Sequence, residues 1–333
     1  MTMTIEYYKG NEVEWDSFIN RSMNGTFLQT RRFINYHPQG RFEDASLCVR
    51  KGNELVAAIL GCAIRGDSKT FFAHKGTTFG GITISEKVYS ASAVEEIFCT
   101  MEEFFEREGF STAYFKMVPR IYQKKNCDLL DYFFYKHGYS RFDELNYYMD
   151  LERYRDSVIS QFSSSKRRDY RYSLKNDLAF KKLETKEEIA DFYRVLQLNL
   201  KKLGLSSVHS LEDLYDLKFN RFDANIEFYG VFKDSVMIAG SMAFLFDDRV
   251  FHTQYLSSDE KYLKLYPMDF LITSLIEVAV SKKMKVFSFG ICTEDQGRYL
   301  NFGLSRFKEG FGTEYCVNRL YEKILDGQYE KRM

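Results

Sequence analysis

Hydrophobic positions along the chain change period several times, and each change marks an element. Residues 46–64 (SLCVRKGNELVAAILGCAI) and 227–246 (EFYGVFKDSVMIAGSMAFLF) each place two apolar, β-branched runs about a short polar turn, which predicts a β-hairpin in each. Val94, Ile97, Phe98, Met101, Phe104 and Phe105 then recur at helical spacing within 92–108. Phe270, Leu271, Leu275, Val278 and Ala279 do the same within 268–283. Each helix leads into a short apolar strand, at 112–118 and 285–291. A second helix follows each strand and closes on a glycine break, at His137-Gly138-Tyr139 and at Gly310-Phe311-Gly312.

The order of elements is therefore the same in both halves, and Lys51 and Ala57 stand to their hairpin as Lys233 and Ala239 stand to theirs. A repeat this long is a duplicated domain rather than a solenoid unit. Three helical segments, 163–175, 186–203 and 210–221, lie between the copies. The expected fold is α/β (α+β, mixed sheets): two tandem domains, 1–150 and 151–333, each a mixed, mostly antiparallel sheet flanked by helices. The second has a helical lead-in over 151–223, and a cleft is expected where the two meet.

Composition narrows the function classes. The 47 basic and 47 acidic residues cancel, so there is no global field to gather DNA or an anionic surface, and a polyanion must be held by a local patch. The six cysteines (Cys48, Cys62, Cys99, Cys127, Cys292, Cys316) show no C-x-x-C or paired Cys/His spacing, which points to buried free thiols, a reducing compartment and no metal. The longest apolar run, 55–64, is too short for a membrane span, and the N-terminus lacks the pattern of a signal peptide. A cytoplasmic protein is expected.

Candidate chemistry gathers in the second half. In the strand 249–258 (RVFHTQYLSS), alternation puts His252 and Gln254 on one side and Phe251, Thr253 and Tyr255 on the other. His252 has the titration range of a general base, and Tyr255 can donate a proton or align a substrate. Pro267 opens the next helix and leaves free N–H groups suited to a pyrophosphate, with Asp269 either a first-turn acid or a base or amine-binding group. Ser163-Ser164-Ser165 caps a helix on which Arg167, Arg171 and Lys175 recur every four residues, a spacing that a bound phosphate or a solvated basic face explains. Nothing in the sequence has the look of a Ser/His/Asp triad. The glycine-rich 76–82 reads as a turn rather than a phosphate loop.

Three segments carry a family resemblance: 25–33 (GTFLQTRRF), 163–175 (SSSKRRDYRYSLK) and 267–312 with its FSFG and RFKEGFG elements. Together with Phe134–Tyr139 (FYKHGY) they make the chain resemble the GNAT fold, doubled as in the FemAB/FemX-like transferases that attach amino acids to cell-wall precursors. The resemblance implies that Lys308, of the Phe307-Lys308 pair, takes part in catalysis; its ammonium can stabilise an oxyanion or hold a phosphate, and an Ala substitution is expected to lower turnover with stability nearly unchanged. It implies that Arg31 and Arg32 lie where such proteins bind the acceptor's phosphates. Arg306, on another face of the Lys308 helix, is a further substrate-binding candidate. The chain departs from the family in that 257–269 (SSDEKYLKLYPMD) holds no glycine where the pyrophosphate loop Gln/Arg-x-x-Gly-x-Gly/Ala would lie, and in lacking a coiled-coil arm.

The leading expectation is an N-acyltransferase moving an acyl group, acetyl foremost, from acyl-CoA to an amine of a lipid-linked or nucleotide-linked cell-envelope sugar or precursor. The alternatives are a FemX-like transferase using aminoacyl-tRNA and a catalytically silent binding protein of the same fold.

Overall fold

The computed structural model describes residues 2–325 except 65, 74, 154–156 and 203. The chain divides into two compact units, Leu145–Cys316 and a unit made of Met1–Glu144 with the chain from Val317 onward. The sequence placed the boundary near 150 and the whole C-terminus in the second domain. In the structure strand Glu314–Ile324 instead returns to the first unit, where Leu320–Ile324 pair antiparallel with Thr112–Lys116.

In the first unit the expected hairpin is Leu47–Lys51 with Glu54–Ile59, flanked by Met3–Tyr7 and Ile82–Ile84. The apolar run does not continue straight through residue 61. A Cβ at Gly61 would stand 2.5 Å from the Phe71 ring, and beyond it Cys62–Ile64 pairs with Asp67–Ala73 in a different sheet. Strands Asp67–Ala73 and Thr112–Lys116 are parallel, so the chain must cross over between them. Helix Ala91–Glu108 makes that crossover, with Ser90 capping its start and Gly109 (φ 78°) ending it. Its apolar face meets Asp128–Lys136 over a phenylalanine-rich core.

The second unit repeats the plan. Ala179–Leu183, Ile226–Lys233, Val236–Phe246 and Val250–Ser258 form an antiparallel run. Helix Pro267–Ser281 crosses over to the parallel strand Val286–Ile291, which pairs on its far side with residues 146–150. Leu271, Ile272, Leu275, Ile276 and Ala279 bury that helix against Phe251, Phe287 and Tyr229. At roughly 25 cal/mol per Å² of apolar surface, this face supplies most of the helix's hold on the sheet. The basic helix is shorter than expected, Ser164–Ser173, which leaves Lys175 outside it. The 210–221 segment is a short helix, Leu211–Tyr215, continued by a π-helical stretch, Asp216–Arg221. Four cysteines are buried as expected, whereas Cys99 is exposed and Cys316 half-buried.

Candidate active site

The parallel ladder between Val250–Ser258 and Val286–Ile291 runs through only three pairs and ends at His252–Ser288. Past that point one strand carries a bulge. Thr253 pairs with Ala243 and Tyr255 with Met242, so Gln254 is the extra residue. The bulge overturns the expected alternation. His252 opposes Phe244 and Tyr255 opposes Met242, two residues apart on one strand, so His252 and Tyr255 share a face. Beyond the split, the edge of the bulged strand lies outside the parallel ladder.

Lys308 stands at the end of the other strand. It is only 4% exposed, and Nζ donates to the carbonyls of Phe289 (2.8 Å), Gly290 (3.1 Å) and Ile291 (2.9 Å). Successive strand carbonyls normally point in opposite directions. Gly290 at φ 72° turns them together, at a register shift where a Cβ would meet His252 Cε1 at 3.3 Å. All three ammonium hydrogens are committed. In the structure Lys308 is a buried clamp on the strand end, with burial pulling its pKa down and the neighbouring Cys292 pushing it up.

His252 is buried beside this clamp, its Nδ1 3.2 Å from Ser288 Oγ, which also accepts from the Gly290 N–H. Burial first, then the Lys308 charge, lower its pKa to about 4, against a raising contribution from Gln254. A base that weak is poorly matched to reaction near neutral pH. In this setting His252 is a neutral hydrogen-bonding group. Tyr255 is different: its hydroxyl is 2.7 Å from His209 Nδ1, and burial raises its pKa, so it stays protonated.

Asp269 is buried in the first turn of helix Pro267–Ser281, and burial raises its pKa against the pull of Lys166, whose Nζ is 2.7 Å from Oδ1. That ammonium also lies 4.3 Å from the Phe307 ring centroid and 4.9 Å from that of Phe311. Sequence reasoning passed over Lys166, although it stands in the SSSKRR run it singled out. It also passed over His209 and Ser288, which no spacing connects to Tyr255 or His252.

The remaining candidates are spread out. Arg167 Nη1 reaches Ser160 O at 3.3 Å, Arg171 is exposed, and Lys175 lies 5.5 Å from the Tyr172 ring centroid. Arg306 is exposed and bonds back to Phe302 O. Arg31 and Arg32 are in the first unit. Arg32 is exposed, but Arg31 is enclosed, its guanidinium 3.7 Å over the Tyr8 ring and 4.4 Å over Trp15, with Nη1 2.6 Å from Asp44. Arg31 is thus held by groups of its own unit.

Residues 162–309, all within the second unit, match the family model described as an acetyltransferase (GNAT) domain. By sequence, no curated protein matches the chain. Among solved structures, that of FemX is similar with a TM-score of 0.69 at 12% identity, over 95% of this chain and 96% of FemX. The C-terminal domain (DUF2156) of a putative lysylphosphatidylglycerol synthetase from Agrobacterium fabrum gives 0.62 at 14% identity, over 93% and 92%. A tandem GNAT protein from the clavulanic acid biosynthesis pathway gives 0.58 at 9% identity, over 98% and 99%. The family match makes residues 162–309 a GNAT-type acetyltransferase domain by description, and the solved structures share the fold of the chain. The two units of the chain have the fold of the FemX and tandem GNAT structures. Among the described residues no helix is long and apolar enough to cross a membrane.

Proposed function

We propose that the second unit transfers an acyl group to an amine at the split between its two parallel strands, and that the donor is an aminoacyl ester, as on a charged tRNA, rather than acyl-CoA. The observation that carries the donor reading is the buried Asp269–Lys166 pair in the first turn of helix Pro267–Ser281. A helix N-terminus with free N–H groups attracts a diphosphate. Here a carboxylate of the chain itself already occupies that positive end, and no glycine in 257–269 lets a phosphate approach the backbone. With that end taken by an internal ion pair, a donor that carries no diphosphate, such as an aminoacyl ester, fits it better than acyl-CoA.

In this reading the acyl carbonyl lies along the bulged strand edge, where backbone groups outside the ladder polarise it. The neutral amine attacks the carbonyl carbon, the ester C–O bond breaks, and Tyr255 protonates the departing oxygen, recovering a proton from the amine by way of solvent. His252, Ser288 and Lys308 hold the strand end that frames this edge. The amine of a cell-envelope sugar or precursor remains the acceptor class. The name of the lysylphosphatidylglycerol synthetase neighbour accords with aminoacyl transfer, while the family description keeps acetyl-CoA as the second reading.

Thermal shift separates the two. A ligand at 100 times its dissociation constant stabilises by about 2.7 kcal/mol. The proposal expects a shift with an aminoacylated acceptor-stem RNA and none with millimolar CoA. A shift with CoA that Asp269→Asn leaves unchanged would overturn the donor reading.

A further inference from the structure

Cys99 is the exposed thiol of the chain, and it does not stand alone. It lies one turn after Glu95 on helix Ala91–Glu108, while His137 caps the end of helix Asp128–Lys136. The ligand atoms of Glu95, Cys99 and His137 all lie within 4.8 Å of one another.

The hydrogen bonds around the imidazole are uneven. Nδ1 is 3.0 Å from Glu102 Oε2, and Nε2 is 3.4 Å from Glu95 Oε2. A carboxylate behind Nδ1 fixes the proton there and turns the Nε2 lone pair towards Glu95, the arrangement that orients a metal-binding histidine. Two acceptors then face each other, and the gap must hold either a proton or a cation. Tetrahedral bonds of roughly 2.0–2.1 Å to N and O place those two ligand atoms about 3.3–3.4 Å apart. The observed 3.4 Å is that edge. The outer carboxylate oxygens are already engaged, Glu95 Oε1 by Lys136 at 2.6 Å and Glu102 Oε1 by Lys323 at 2.6 Å.

We propose that Glu95, Cys99 and His137 bind a divalent transition ion of the zinc class, with Glu102 positioning His137 and the fourth coordination place left to water. Mixed S, N and O donors select zinc or its neighbours over magnesium and calcium. Binding converts the Cys99 thiol to a thiolate and releases one proton to solvent, with no change of oxidation state. The ion would fasten one helix to the other within the first unit. The expectation of no metal rests on the absence of paired motifs, a signal that a cluster assembled from two helices does not give.

Cobalt(II) titration of the reduced, full-length protein is the test. The expected result is a thiolate-to-cobalt charge-transfer band saturating at one equivalent and displaced by zinc. Cys99→Ser, an exposed change, abolishes it, and Glu102→Gln weakens affinity by about 10–100-fold. The proposal is overturned if no thiolate band forms, as for an imidazolium caged by carboxylates. It is equally overturned if the band survives Cys99→Ser, or if Glu95→Gln leaves affinity unchanged.

Discussion

The ammonium of Lys308 is 3.1 Å from the carbonyl of Gly290, and the same ammonium holds the carbonyls on either side of it. Lys308→Met keeps the length of the side chain but leaves three inward carbonyls without their donor. Each unsatisfied buried group costs about 1–3 kcal/mol. Urea denaturation should show a loss of roughly 2–5 kcal/mol, in contrast to the stability-neutral change expected from sequence. A variant as stable as the parent would remove the clamp from this account.

Gly290 makes the clamp possible. An alanine there takes a strained backbone at φ 72° and crowds His252 Cε1 at 3.3 Å. Gly290→Ala is expected to destabilise by about 1–2 kcal/mol. It should also shift the His252 ring resonances in NMR spectra, whereas a change confined to stability would disconnect the two residues.

His252 gives stability a pH dependence of known sign. Unfolded, it takes up a proton near pH 6.5, whereas folded it resists protonation until about pH 4. Between these values the unfolded state binds more protons, so stability falls as pH is lowered, by up to about 1.4 kcal/mol per unit. Chemical denaturation of His252→Gln across pH 4–7 should show a flatter acid limb. An unchanged slope would place the titrating group elsewhere.

The Lys166–Asp269 pair should behave as a buried unit. Lys166→Met alone leaves an uncompensated carboxylate, and the expected loss is about 3–5 kcal/mol. Adding Asp269→Asn should recover a substantial part of it. Additive losses in the double-mutant cycle would show that the pair is not coupled.

Much of the fold was legible in the sequence because it is written in local periodicity. Two hairpins, two crossover helices and the repeated strand-helix-glycine order follow from spacing alone. The bulge at Gln254 was not legible, since a bulge is a relation between two strands, and its one-residue slip moved Tyr255 to the face of His252. Lys308 was found by resemblance, but its role depends on the positive φ of Gly290, which no pattern of apolar residues encodes. The Lys166–Asp269 pair joins helices 103 residues apart. The Arg31 site looked open in sequence because nothing nearby showed that Tyr8 and Trp15 would cover it.

Acyl transfer by the second unit is read out by a single-turnover assay. The purified protein is mixed in excess with a donor labelled in its acyl group, either an aminoacyl-tRNA or acetyl-CoA, and a panel of amino-sugar acceptors, and labelled amide is followed over time. Amide is expected from the aminoacyl donor, formed at least tenfold more slowly by Tyr255→Phe with its thermal stability near that of the parent. Faster transfer from acetyl-CoA, or no amide from either donor by a folded protein, would contradict that expectation.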